Sequence, residues 1–134
     1  MANVNLVGVV LVSHSRKLAE GLADLVRELG GDHVPVIAAG GMDDGSLGTS
    51  YGRIEQAVRE ADQGAGVLLL GDLGSALLIV KTLLDEGVGK EARAVLADAP
   101  FVEGAVAAVV TASAGGDLDS VRAAAEEARQ FRKL

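Results

Sequence analysis

The chain of 134 residues has no cysteine, no tryptophan and only 2% aromatic residues. Without cysteine it cannot form a disulfide, a thiolate nucleophile or a cysteine-ligated zinc site. Its two histidines are not arranged in an HExxH pattern, so another kind of metal site has little support. We therefore expect neither a metal nor a cofactor.

Basic charge is also scarce, with 12 Lys and Arg against 19 Asp and Glu and a net charge of −7. There is no basic run, so we expect neither nucleic acid nor an anionic membrane as a partner. No apolar stretch approaches the ~20 residues that span a bilayer. The first residues lack a basic leader and lead directly into an apolar strand, so we expect a cytoplasmic protein without a signal peptide.

What the chain has in quantity is apolar aliphatic residues, in a total hydrophobic content of 49%. Strand-like and helix-like patterns alternate as βαβαβαβαα, with strands expected at about 6–12, 33–38, 66–72 and 92–98. We expect one domain over residues 1–134, an α/β fold with a doubly wound open sheet of four parallel strands. The first and third strands are the most apolar, which favours the order 2-1-3-4 with helices on both faces.

The predicted helices carry apolar stripes that indicate their core-facing sides. The third, from Ser75 to Glu86, is apolar around most of its circumference, so either another helix or a second subunit must cover it. We favour a homodimer interface, with Leu83 among the outward residues. Three other stripes are expected to face the core: Leu18, Leu22, Leu25, Val26 and Leu29, ended by Gly30 and Gly31; Ile54, Ala57, Val58 and Ala61, capped by Thr49 or Ser50; and Val102, Val106, Val109 and Val110, preceded by Pro100 and a potential Asp98 cap. A last helix, from about Asp117 to Phe131, is expected to turn Leu118, Val121 and Ala125 inward.

His14 lies where the first strand turns into the first helix, and Asp72 lies at the equivalent turn after the third strand. In the expected strand order these turns are neighbours at the switch point, where ligands bind in such sheets. Asp72 can then hold one ring nitrogen of His14 and leave the other as a nucleophile.

A phosphoryl group on His14 would be bound by Ser75 and by free N–H groups at the helix N-termini. We add Ser15, Gly74 and Thr49 as phosphoryl-binding candidates. The structural alternative is that His14 and Asp72 only cap helices. His33 begins the second strand, at the end of the sheet opposite to this site, and is expected to be structural or exposed.

The sequence has no motif for nucleotide binding or for a serine nucleophile. There is no GxxxxGK[ST] loop, no glycine pattern for a dinucleotide after the first strand, and no GxSxG turn. One histidine, one aspartate and a few hydroxyls suffice to carry a phosphoryl group.

Four ordered motifs extend over nearly the whole chain: SHS at 13–15, GGMDDGSLGTS at 40–50, LLLGDLGSA at 68–76 and DAPFVEGAVAA at 98–108. With them the chain resembles the mannose-type enzyme IIA family of the phosphotransferase system. The sugar-transporting members of that family typically have a longer GGSP-like turn after the aspartate, whereas this chain has DLGSA. The chain therefore resembles most closely the branch of phosphocarrier subunits of phosphoenolpyruvate-dependent dihydroxyacetone kinase.

The resemblance implies that His14 is phosphorylated, with Asp72 and Ser75 beside it. It implies a donor, the histidine-containing phosphocarrier protein, an acceptor, ADP on a dihydroxyacetone kinase subunit, and a homodimer. The alternatives are the enzyme IIA of a mannose-type sugar transporter and a non-catalytic regulatory or interaction module.

Overall fold

The computed structural model describes residues 5–30 and 32–134, which form a four-stranded sheet with helices on both faces. In chain order the elements are β1 (Gly8–Ser13), α1 (Arg16–Gly30), β2 (Val36–Gly40), α2 (Tyr51–Ala61), β3 (Val67–Gly71), α3 (Gly74–Asp85), β4 (Ala94–Leu96), α4 (Phe101–Ser113) and α5 (Leu118–Glu127), followed by a short 3₁₀ turn at Ala128–Gln130.

All strand pairs are parallel and the order is β2-β1-β3-β4, which confirms the prediction. The register places Val9 beside Val36 on one side and beside Leu68 on the other. The two central strands are buried along their full length, because helices cover both of their faces. Their carboxyl ends lie side by side, so the residues that follow β1 and β3 meet at one edge of the sheet.

Two separate apolar cores form on the two faces. Helices α1, α4 and α5 pack over alternate strand residues such as Val9, Leu11, Leu68 and Leu70. The other face carries α2 and α3 over the intervening strand residues. This alternation follows from the period of two along a strand and gives both central strands their continuous apolar sequence.

The predicted stripe of α2 is confirmed, since Ile54, Ala57, Val58 and Ala61 are its buried residues. The last helix is shorter than predicted, because it ends at Glu127 and the exposed Phe131 follows the 3₁₀ turn.

The predicted stripe of α1 is wrong in part, because three of its five residues are exposed: Leu18, Leu25 and Leu29. In α4 the same error affects Val102 and Val110. These helices instead turn small residues toward the core: Ala19, Ala23 and Gly30 in α1, and Gly104, Ala105, Ala108 and Ala112 in α4. Small residues allow close approach of helix and sheet, so the larger side chains lie at the flanks.

The prediction for the outward side of α3 is wrong. Leu83 is 5% exposed and belongs to the core, whereas Leu78 is 68% exposed and is the large outward residue.

Two helix caps are now assigned. Ser50 rather than Thr49 caps α2 and accepts the Arg53 N–H, and Pro100 rather than Asp98 occupies the N-cap position of α4. Gly31 lies outside the described residues.

Candidate functional site

His14 lies in the turn between β1 and α1, with its side chain about one quarter exposed (27%). Backbone hydrogen bonds join this turn and the end of β1 to the residues that follow both neighbouring strands. The Gly41 N–H donates to the Ser13 carbonyl at 3.1 Å, and the Asp72 N–H donates to the Val12 carbonyl at 3.1 Å. A third bond, from the Gly48 N–H to the His14 carbonyl at 2.9 Å, joins the turn to the loop that precedes α2. The imidazole is thus presented from a backbone that is held on three sides.

Asp72 follows β3 directly and forms four hydrogen bonds at this turn. Its Oδ1 lies 3.0 Å from His14 Nδ1 and accepts the Leu73 N–H at 2.7 Å. Its Oδ2 accepts the His14 N–H at 3.0 Å and the Ser13 hydroxyl at 2.9 Å. Burial raises the pKa of Asp72, but the hydrogen bonds from His14, Ser13 and Leu73 outweigh it and hold that pKa below its usual value. The carboxylate is therefore ionised at neutral pH.

An ionised carboxylate only accepts hydrogen bonds, so the proton of a neutral His14 ring belongs on Nδ1. The other ring nitrogen, Nε2, then carries a lone pair. Ser75 Oγ lies 2.8 Å from Nε2 and can donate its hydroxyl hydrogen to that lone pair. The ring is held between a carboxylate on one side and a hydroxyl on the other.

Ser75 belongs to the first turn of α3, which starts at Gly74 and has no side-chain cap. Uncapped N–H groups at a helix N-terminus are suited to an anion. Ser15 has a capping role in α1, because its Oγ accepts the Leu18 N–H at 3.2 Å. Thr49 lies on the loop before α2 and pairs with Gly41 in an isolated bridge. The fold therefore brings His14, Asp72 and Ser75 into direct contact and places the other three candidates on the surrounding turns.

Two features of the site were not predicted. Ser13 is fully buried and donates to Asp72, although the sequence marks it only as the hydroxyl residue that ends an apolar strand. At Gly40 a Cβ would lie 2.5 Å from the Ser15 carbonyl oxygen and 2.8 Å from Arg16 Cα. Only glycine allows β2 to approach the His14 turn this closely.

Exposed leucines flank the site on two sides. Leu47, on the loop before α2, is 78% exposed, and Leu73, next to Asp72, is 59% exposed. The loop of Leu47 also presents Asp43 and Asp44 to solvent. Asp43 is held by Arg53, whose Nε lies 3.2 Å from its Oδ1. Arg16 and Lys17, at the start of α1, are also exposed, so the surface near His14 combines leucine side chains with charges of both signs.

Within residues 5–30 and 32–134, no group of three or more His, Asp or Glu side chains is arranged to hold a metal ion. In the same residues no helix is both long and apolar enough to cross a membrane.

Comparison with known proteins matches residues 8–122 to the family described as PTS system fructose IIA component. A "PEP-dependent dihydroxyacetone kinase, phosphoryl donor subunit DhaM" of Pantoea ananatis is 40% identical over 87% of this chain, which spans 25% of that relative. The corresponding subunit of kinase 2 of Listeria innocua is 38% identical over 78% of this chain and 85% of its own length. A crystal structure of the protein EF1359, of unknown function, superposes with a TM-score of 0.80 at 32% identity, over 91% of this chain and 94% of that one.

Proposed function

The chain belongs to the PTS system fructose IIA component family, and from that premise we propose that it carries a phosphoryl group on His14 between two protein partners. The observation that supports the proposal is the pair of hydrogen bonds made by the His14 imidazole. Nδ1 lies 3.0 Å from the Asp72 carboxylate, and Nε2 is left with a lone pair beside the N-terminus of α3. A neutral imidazole held in this tautomer is an activated nucleophile.

In the loading step, Nε2 attacks the phosphorus of a phosphohistidine on the donor. A P–N bond forms to His14 while the P–N bond to the donor breaks, and the donor's imidazole keeps the electron pair. The ring of His14 becomes positively charged, and the Asp72 carboxylate at Nδ1 stabilises that charge. Ser75 releases Nε2 and turns its hydroxyl toward a phosphoryl oxygen, where the free N–H groups of Gly74 and Ser75 add further donors. Ser15 and Thr49 are the hydroxyls of the adjoining turns that complete this set.

In the unloading step, an oxygen of the acceptor attacks the phosphorus and the P–N bond to Nε2 breaks. The electron pair returns to the ring, whose tautomer Asp72 has preserved. The similarity to phosphoryl donor subunits of dihydroxyacetone kinase favours ADP on a kinase subunit as the acceptor. We propose the histidine-containing phosphocarrier protein of the phosphotransferase system as the donor, which places the reaction in the cytoplasm.

Protein partners fit the surface around His14 better than a free small substrate. The exposed side chains of Leu47 and Leu73 belong to the two segments that form backbone hydrogen bonds with the His14 turn and the end of β1. Exposed aliphatic side chains beside a reactive group are typical of a protein-docking surface.

We also propose a homodimer through α3 and the β4 edge. Leu78 projects from α3 with 68% exposure. A groove of about 390 Å³ runs between α3, β4 and α5 and is lined in part by Leu77, Leu84, Val95 and Leu96. Apolar residues that a single chain leaves uncovered on two adjoining elements suit a two-fold interface.

The experiment is phosphorylation of the purified chain with phosphoenolpyruvate and the general phosphotransferase proteins, followed by intact mass. We expect one phosphoryl group that is lost in acid and kept in alkali. His14→Ala is expected to fold and take up none, whereas the matched variant His33→Ala, which removes the other exposed histidine, is expected to be phosphorylated normally. Absence of uptake by the wild type would favour the regulatory-module alternative.

Transfer to the acceptor is tested by adding the ADP-loaded kinase subunits with dihydroxyacetone. We expect dihydroxyacetone phosphate to form and the phosphorylated chain to disappear. Transfer only to the next protein of a mannose-type transporter would assign the chain to sugar uptake instead.

A further inference from the structure

Ser13 is the last residue of β1 and is fully buried, with 0% exposure. The rest of β1 is apolar or glycine, and alanine or valine would continue the strand at this position without a polar group to satisfy. The Ser13 hydroxyl instead takes part in two hydrogen bonds. It donates to Asp72 Oδ2 at 2.9 Å and accepts the Ser15 N–H at 3.0 Å.

The oxygen that Ser13 contacts is not the one that faces the imidazole. Asp72 Oδ1 lies at His14 Nδ1, whereas Oδ2 is held by the Ser13 hydroxyl and the His14 N–H. Rotation about the Cβ–Cγ bond moves both carboxylate oxygens together, so donors that hold Oδ2 also fix the direction of Oδ1. Such a rotation would break the two bonds to Oδ2 as well as the bond from the Leu73 N–H to Oδ1, so Oδ1 stays directed at Nδ1.

From this arrangement we propose that Ser13 is a positioning residue for phosphoryl transfer, acting through Asp72 to hold the His14 ring with Nε2 available. The inference rests on the proposed function. Ser13 does not touch the phosphoryl group; being fully buried, its hydroxyl reaches the ring only through the carboxylate. The Ser13 hydroxyl also accepts the N–H of Ser15, the residue that precedes α1, so it connects the carboxylate to the start of that helix.

The test compares Ser13→Ala with Ser50→Ala. Ser50 is the other buried polar residue among those described, and its hydroxyl donates to Asp43 and caps α2 away from the ring. Both variants lose a buried hydroxyl and are expected to lose stability. Only Ser13→Ala is expected to raise the pKa of Asp72, because it removes one hydrogen bond to the charged carboxylate.

Two further measurements report on the His14 ring and on its reaction. Nitrogen NMR of His14 is expected to report a mainly Nδ1-protonated neutral ring in the wild type and in Ser50→Ala, and a mixture of tautomers in Ser13→Ala. The rate of phosphoryl uptake is expected to fall about tenfold in Ser13→Ala and to stay within about twofold in Ser50→Ala. If Ser13→Ala does not fold, Ser13→Cys keeps the size with a weak donor, and its Asp72 pKa is expected to rise likewise.

Unchanged Asp72 pKa and unchanged His14 tautomer in a folded Ser13 variant would overturn the proposal and leave Ser13 a structural hydroxyl. The NMR measurements need no phosphoryl donor. A wild-type chain that takes up no phosphate would therefore refute the proposed function, while the NMR data still decide the role of Ser13.

Discussion

Replacing Asp72 with asparagine tests the central contact of the site, because it removes the charge and turns one acceptor oxygen into a donor. The four donors around Asp72 lie two on each oxygen. If the amide oxygen stays at Nδ1, the amide nitrogen faces the His14 N–H and the Ser13 hydroxyl. The hydroxyl can reverse and accept, but the N–H cannot, so one donor loses its partner in either orientation.

The expected loss combines stability and rate. One unsatisfied N–H and one weakened hydrogen bond destabilise the fold by about 2 kcal/mol. The phosphorylated ring is cationic and loses its counter-charge, which we estimate at about 3 kcal/mol in the barrier, or roughly a hundredfold in the rate of loading. His14 itself is intact, so phosphorylation is slowed rather than abolished.

The assay measures, by rapid quench, the rate of phosphoryl transfer from the phosphorylated donor to the wild type and to Asp72→Asn. The thermal unfolding midpoint of each protein is measured in parallel. A variant as fast as wild type in both directions would refute the role of Asp72 in transfer and leave it a structural cap. Complete loss of phosphorylation in a folded variant would equally contradict the reasoning, because it would make the carboxylate part of bond formation.

The same variant has a defined pH dependence. The folded-state pKa of Asp72 is lowered, so its contribution to stability is present above the unfolded pKa of about 4 and is lost as the pH falls through the folded value. The stability difference between wild type and Asp72→Asn is therefore expected to shrink in acid, as followed by urea unfolding between pH 7 and the acid limit of folding. A constant difference over this range would contradict the assignment.

Three further substitutions test other parts of the molecule. Leu73→Asp is expected to slow loading about tenfold or more by placing a charge in the docking surface, whereas Leu29→Asp, equally exposed on α1, is expected to have no effect; equal rates would refute the surface. Leu78→Glu is expected to shift the mass in light scattering from dimer to monomer, and a monomeric wild type at micromolar concentration would refute the interface. Gly40→Ala is expected to cost about 2 kcal/mol of unfolding free energy and to slow phosphorylation, while Gly74→Ala, where a Cβ meets no atom within 4 Å, is expected to be neutral for stability.

The fold was predictable because its strongest signals are local. Apolar runs in β1 and β3 identify the strands that helices cover on both sides, and strand–helix alternation leads to parallel pairing. From that order alone, the residues that follow β1 and β3 must be neighbours. His14 and Asp72 could therefore be paired from sequence, and their contact at 3.0 Å agrees with it.

The faces of α1, α4 and the outward side of α3 were not predictable to the same degree. Periodicity favours large apolar residues as the core, yet Ala and Gly face inward in α4 while Val102 and Val110 are exposed. How closely two elements approach depends on the whole packing arrangement, and a short side chain is chosen wherever backbones come near. Helix α3 is apolar around most of its circumference, so its sequence alone does not show that Leu83 lies in the core and Leu78 outside it.

Patterns within short segments were enough to predict the order of the strands and the contact between His14 and Asp72. How these two side chains are held depends on the packing of the whole fold. The buried hydroxyl of Ser13 reaches Asp72 only after β1 and β3 have paired. Gly40 approaches the backbone of Ser15 and Arg16 only after β1 and β2 have paired. Hydrogen bonds and close contacts between strands depend on distances that no local pattern encodes.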